Sequence, residues 1–323
     1  MNKEKLAQLR KAVFGGGING ILFVLIVLFL LSSVFVNGFF TSSNLANVMR
    51  QIAVVTIVAL GATFVIILGH INVAYGSVIA LIGCVACQVM VSTGNVFVSV
   101  LAAIVLGALI GSINGFVITK FGIPAFIMTL AVTTAARGSA LLFTGGIPIA
   151  KMGPSFLILG QGNIGIIPVS VIVLAALFAI TWVFLNKTVF GRHVYAVGGN
   201  ENAAIASGIK SKMVIFKAFI MDGILTAIAG VVLMSRMNSG QPSAAVGYEF
   251  DAITAVVVGG TSLSGGSGSL VGTVIGAVIV GIINNVQNLL NINTQWQQVV
   301  KGIIILLAVI LDVVSKRQAR IRG

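Results

Sequence analysis

Acidic side chains are scarce: Glu4, Glu201, Asp222, Glu249, Asp251 and Asp312 are the only six in 323 residues, and all charged residues together reach 8%. A water-soluble domain carries about 25%, so this composition excludes a soluble globule. Cysteine is nearly absent too. Cys84 and Cys87 share an apolar segment with no histidine or acid beside them, which points to packing and away from metal or redox chemistry. Neither a Ser/His/Asp set nor a metal-ligand cluster is evident. The glycine-rich stretch 259–268 lacks the Lys-Ser/Thr that a phosphate-cradling loop needs. The chain therefore reads as no enzyme, with no cofactor. If it moves a solute uphill, the energy comes from another polypeptide or an ion gradient.

What is abundant is apolar: 58% hydrophobic residues and 39 glycines. A membrane span takes about 20 apolar residues. Such runs fall at about 18–36, 51–69, 76–93, 97–119, 124–143, 166–185, 215–235, 251–266, 270–290 and 299–314. The expectation is an all-α polytopic membrane protein of ten spans, with a basic leader at 1–17, a membrane domain at 18–314 and a basic tail at 315–323. The first run is too long for a signal-peptide core and should stay as an anchor. A net charge of +13 could suggest nucleic acid, but the cations' positions argue otherwise. They gather at Lys3, Lys5, Arg10 and Lys11, at Lys187, Arg192, Lys210, Lys212 and Lys217, and at Lys316, Arg317, Arg320 and Arg322, each group flanking apolar sequence. This is the positive-inside pattern, and it puts both termini in the cytoplasm.

The spans at 51–69 and 251–266 are short or glycine-broken. Interrupted segments at comparable places in two halves point to inverted repeats around a pathway. Here that would mean two repeats of five, although residues 73–83 and 245–259 share only a faint likeness. Gly107, Gly111 and Gly115, and again Gly272 and Gly276, recur every fourth residue and let helices approach closely, within one subunit more readily than between two.

Polar groups within the spans are mostly neutral: Asn72, Tyr75, Ser77, Asn114, Thr129, Asn284, Asn285, Gln287 and Asn288. Amides and hydroxyls exchange hydrogen bonds with a polyhydroxylated solute without burying charge. Asn72, Tyr75, Ser77, Asn114, Asn284 and Asn288 are the candidate pathway residues, although such groups also bond helix to helix. Of the acids, Asp222 is expected within a turn or two of the inner surface, where Lys217 or water would meet it. Asp251 and Glu249 are expected at an outer mouth. Arg137 either snorkels outward or holds a neighbouring segment by its forked donors. His70 reads as a polar residue at a helix end. The cytoplasmic connection 187–214 contains a short Ala-rich helix, with Ala203 and Ala204, stopped by Gly208, a surface suited to docking in another protein's groove.

FGRHVYAVGGNENAAIASGI (190–209) resembles the cytoplasmic coupling segment of ribose-type sugar permeases of bacterial ABC importers. The stretch QPSAAVGYEFDAITAVVVGGTSLSGGSGSLVGTVIGAVIVGIINNVQNLL (241–290) resembles the same family along almost its whole length. The resemblance implies a ten-span permease of the bacterial inner membrane that works as a pair, taken here as a homodimer. It also implies two cytoplasmic ATP-binding subunits and a periplasmic or surface sugar-binding protein. Asn200, Glu201, Ala203, Ala204, Gly208 and Ile209 would meet the ATPase. Gln241, Pro242, Gly247, Tyr248, Glu249 and Asp251 would lie near the outer mouth. One block departs: the family's Gly-Ile-Asp-Leu-Ser-Val-Gly reads His70-Ile71-Asn72-Val73-Ala74-Tyr75-Gly76 here. The expected function is alternating-access import of a neutral polar solute, a monosaccharide. An ion-coupled carrier, which would need more intramembrane acids, and an amino-acid or nucleoside permease of the same class are the alternatives.

Overall fold

The computed structural model describes residues 18–322, so the basic leader expected at 1–17 lies outside the described residues. The helices are α1 (Ile18–Phe35), α2 (Ser42–Ile67), α3 (Tyr75–Thr93), α4 (Val96–Phe121), α5 (Ala125–Thr144) and α6 (Pro154–Gln161). A two-residue hairpin, β1 (Asn163–Ile164) with β2 (Ile167–Pro168), is a small exception to the all-α expectation. Then follow α7 (Val169–Lys187), α8 (Val189–Gly199), α9 (Glu201–Ala206), α10 (Ser211–Met237), α11 (Tyr248–Val258), α12 (Leu270–Leu289) and α13 (Thr294–Arg322). Local chemistry sets many of these ends. The Thr41 hydroxyl accepts from Asn44 N to cap α2, and Asn95 Oδ1 accepts from Phe97 N to cap α4. Gly94, at φ 65°, closes α3 in a left-handed conformation that a β-carbon would penalise.

Among the described residues, seven helices are long and apolar enough to cross a membrane: α2, α3, α4, α5, α7, α10 and α12. The apolar stretch of α1, Asn19–Phe35, falls just short of that length, and α13 runs on through the expected basic tail. The span expected at 251–266 is not one helix. α11 has 11 residues, about 16 Å at 1.5 Å per residue, half of a hydrocarbon core of about 30 Å, and glycine-rich backbone follows it. Nor is the run at 51–69 short, since it belongs to the 26-residue α2.

α2 and α10 form the centre: 83% and 78% of their apolar stretches are buried, against 17% for α5 and α7. The outer helices turn side chains such as Leu109, Ile113, Phe116, Ile127 and Leu130 outward, a surface that lipid solvates and water does not. Both glycine stripes are spent inside the subunit. Gly107, Gly111 and Gly115 of α4 lie against Gly223, Phe219 and Phe216 of α10, while Gly272 and Gly276 of α12 lie against Gly259 and Ala255. Backbones this close gain dispersion along their whole length, which is the drive available in lipid.

Candidate translocation and coupling sites

Two breaks organise the interior. After α2 the chain runs without helix through 68–74 and restarts at Tyr75; after α10 it does the same through 238–247 and restarts at Tyr248. The restarts meet, because the Ala245 carbonyl and the Glu249 carboxylate occupy the space where a β-carbon of Gly76 would stand. Non-helical backbone at membrane depth persists only where protein satisfies its polar groups. Here one peripheral helix does much of that. Along one stripe of α5, Thr129 Oγ1 accepts from Val73 N (3.2 Å), Thr133 Oγ1 donates to Val73 O (3.0 Å), and Arg137 donates to Pro242 O and Ala244 O (2.6 and 2.9 Å). At i, i+4 and i+8 these three side chains share a face, so a single helix braces both breaks. Arg137 thus holds a segment and does not snorkel.

Asp222 lies about 16 Å along α10 and is 1% exposed, far from the solvated position near Lys217 expected for it. Its carboxylate accepts from Asn72 Nδ2 (2.7 Å) and from the Tyr75 hydroxyl (3.0 Å), while Asn72 Oδ1 accepts from Ala74 N (2.9 Å). Asn72, which stands where the resembled family pattern has an acid, is thus paired directly with an acid of α10. Asn72, Tyr75, Asn114 and Asp222 line one cavity of about 10 Å³, roughly the room of one water molecule. A monosaccharide does not fit it.

The remaining expected pathway residues lie elsewhere. Ser77 is buried in α3 outside this cavity. Asn284 is buried on α12, and the exposed Asn288 accepts from Gln297 Nε2 of α13 (3.0 Å). Asn285 pairs reciprocally with Asn44, tying α12 to the start of α2. At the second break, Gln241 and Tyr248 are half-buried, and Glu249 Oε1 accepts from Gly247 N. Asp251, for which a solvated surface and a vestibule lining were both open, is not solvated surface. It is 4% exposed and ion-paired with Lys301 of α13 at 2.8 Å, which neutralises a charge that burial would otherwise expel.

On the other face, α8 and α9 form the connection. Asn200 caps α9 by accepting from Ala203 N, and Gly208 ends the turn at φ 83°. Asn200, Glu201, Ala203 and Gly208 are exposed and Ile209 is half-buried. Ala204 is 4% exposed and packs into the core, so it cannot present itself to a partner. The residue that does is Ile205, 53% exposed, which sequence reasoning passed over. α8 rests on the ends of the core: Gly198 lies against the Ile67 carbonyl, Gly266 N donates to Ile67 O (2.8 Å), and the Tyr195 hydroxyl donates to Gly268 O (2.9 Å). Burial raises the Tyr195 pKa. Just past α2, burial lowers that of His70, with Glu201 of α9 acting in the opposite direction.

A bundle of apolar helices with an outward lipid-compatible surface, broken helices at its centre and a polar connection resting on those breaks defines a polytopic membrane permease. The chain matches the model for the branched-chain amino acid transport system / permease component family over residues 44–309 and belongs to that family. It is similar to the ribose import permease protein RbsC of Bacillus subtilis, 42% identical over 97% of this chain and 98% of that protein. RbsC of Escherichia coli K12 is 40% identical over 92% and 93% of the two chains, and the L-arabinose transport system permease protein AraH of the same strain 39% over 93% and 92%. No solved structure matches this chain.

Proposed function

We propose that this chain is the membrane gate of an ATP-driven importer that passes a monosaccharide inward by alternating access. The observation that carries the reading is the direct seat of the coupling segment on the breaks. A partner pushing α9 moves α8, α8 bears on Ile67 and on the 265–268 backbone, and Ile67 leads straight into the 68–74 break that meets Ala245 and Glu249. In this reading the cytoplasmic ATP-binding subunits grip Asn200, Glu201, Ala203, Ile205, Gly208 and Ile209. A binding protein outside delivers sugar towards Gln241, Tyr248 and Glu249, and both termini stay inside. The cavity beside Asp222 holds no more than a water; in this reading the sugar passes between two copies of the chain, along surfaces to which Asn72, Tyr75, Ser77, Asn114, Asn284 and Asn288 contribute when the breaks move apart. The relatives' names, ribose and L-arabinose, together with neutral amides and hydroxyls in the spans, support an uncharged polyhydroxylated cargo.

The test is uptake by proteoliposomes holding the chain with its ATPase and binding protein, scanned over sugars, amino acids and nucleosides. Saturable pentose or hexose uptake is expected, and selective amino-acid or nucleoside uptake would replace the cargo assignment. One observation favours the ion-coupled alternative, namely an acid buried midway along a span. Uptake that survives ATP depletion and collapses with an uncoupler would establish it.

A further inference from the structure

The carboxylate of Asp222 poses a charge problem that the reading above does not use. Both of its oxygens accept hydrogen bonds, from Asn72 and Tyr75, an arrangement suited to the ionised acid, since a protonated one would offer a donor of its own. Two neutral donors do not cancel a full charge in a dry interior, where an unpaired ion costs several kcal/mol. Lys217 on the same helix is exposed, and among the described residues the only lysine or arginine paired with a carboxylate is Lys301, on Asp251. The start of α3 at Tyr75 contributes a partial positive end, worth a fraction of a charge.

The same cavity is lined by Asn114 of α4, 3% exposed, whose Oδ1 is buried without a hydrogen-bond partner. Two buried oxygen acceptors lining one space the size of a water, beside unwound backbone, offer oxygen ligands to a small cation. All the acceptors are oxygens, which selects a hard cation, and a single carboxylate matches a single positive charge.

We propose that Asp222 and Asn114 hold one monovalent metal cation, Na+, which neutralises the buried carboxylate and ties α4 to α10 and to the Asn72 break. Bare Na+ fits the cavity and choline does not.

The experiment is thermal unfolding of the purified full-length chain in detergent, titrating NaCl against choline chloride at constant ionic strength, with radiosodium binding measured in parallel. The expected result is a saturable rise in melting temperature specific to Na+, one sodium bound per chain, loss of both in Asp222→Asn, and weaker binding in Asn114→Leu. Equal melting in the two salts overturns the proposal, and so does a Na+ effect that persists in Asp222→Asn. A melting temperature that follows pH and ignores Na+ also overturns it, by assigning the neutralising charge to a proton. Should Asp222→Asn fail to fold, sodium binding to the unaltered chain and to Asn114→Leu decides: no bound sodium, or equal binding in both, refutes the site.

Discussion

Replacing Arg137 with methionine keeps the length and apolar packing of the side chain and removes its two hydrogen bonds to Pro242 O and Ala244 O. Charge-assisted bonds contribute roughly 1.5–3 kcal/mol each. Arg137 is only partly buried, so water competes for its head group and discounts the sum. A loss of about 3 kcal/mol is expected, and it should fall locally, because the 238–247 segment has few other anchors: the Ile149–Gly240 pair and its own short turns. Three kcal/mol is about a hundredfold in an opening equilibrium. Hydrogen exchange in nanodiscs should therefore accelerate about a hundredfold at the Gly240 and Ala244 amides, with little change at α2. Arg137→Lys recovers only part of the protection, since an ammonium lacks the planar fork. Unchanged exchange at Gly240 and Ala244 in Arg137→Met would refute the bracing role of α5.

The remaining expectations concern the buried acid, the coupling surface and pH. Asn72→Asp places a second carboxylate where 2.7 Å now separates an amide from Asp222, so the single variant should lose several kcal/mol, whereas Asn72→Asp with Asp222→Asn restores one acid and one amide; a double-mutant cycle in thermal stability with no positive coupling would contradict the exchange. Cysteine at Ala203 or Ile205 should crosslink to the ATPase and cysteine at the buried Ala204 should not, and equal crosslinking at all three would remove the orientation assigned to α9. Burial holds His70 below its ordinary 6.5, so the neutral ring is favoured in the folded chain. Stability is full above that pH and falls as the pH drops through it towards the lower folded value. His70→Gln should flatten that part of the melting-temperature profile, and an unchanged slope would assign it to other groups.

Much of the helical architecture was legible because long apolar runs have few alternatives to crossing a membrane. What composition could not separate was a full span from a half-helix with a tail: residues 251–266 carry an apolar run followed by glycine, serine and threonine, and the helix ends at Val258, where Gly259 packs against Gly272 and Gly260 turns at φ 86°. The interruptions expected in sequence fell within 51–69 and 251–266, whereas the breaks that meet, through Gly76 and Ala245, are 68–74 and 238–247. Asn72, Tyr75 and Asn114 were found by being polar within apolar sequence. The expected partner of Asp222, Lys217 or water, was wrong because its real partners lie about 150 positions earlier in the chain. Solvated surface stayed open for Asp251 for the same reason, its neutralising lysine being 50 residues distant. Thr133 went unnoticed, since a threonine in a span ordinarily satisfies itself on its own helix. It does so here through Thr129 O, while also reaching Val73. Ala204 and Ile205 are adjacent on one helical turn and face opposite ways, a phase that six residues of sequence do not fix.

The proposed function requires that the driving force originate in a separate, ATP-hydrolysing subunit. Proteoliposomes containing this chain with its nucleotide-hydrolysing partner and a sugar-binding protein should accumulate sugar against a gradient only while ATP is hydrolysed, and vesicles holding the chain without the partner should accumulate none. Accumulation by the chain alone, powered by an ion gradient, would contradict it.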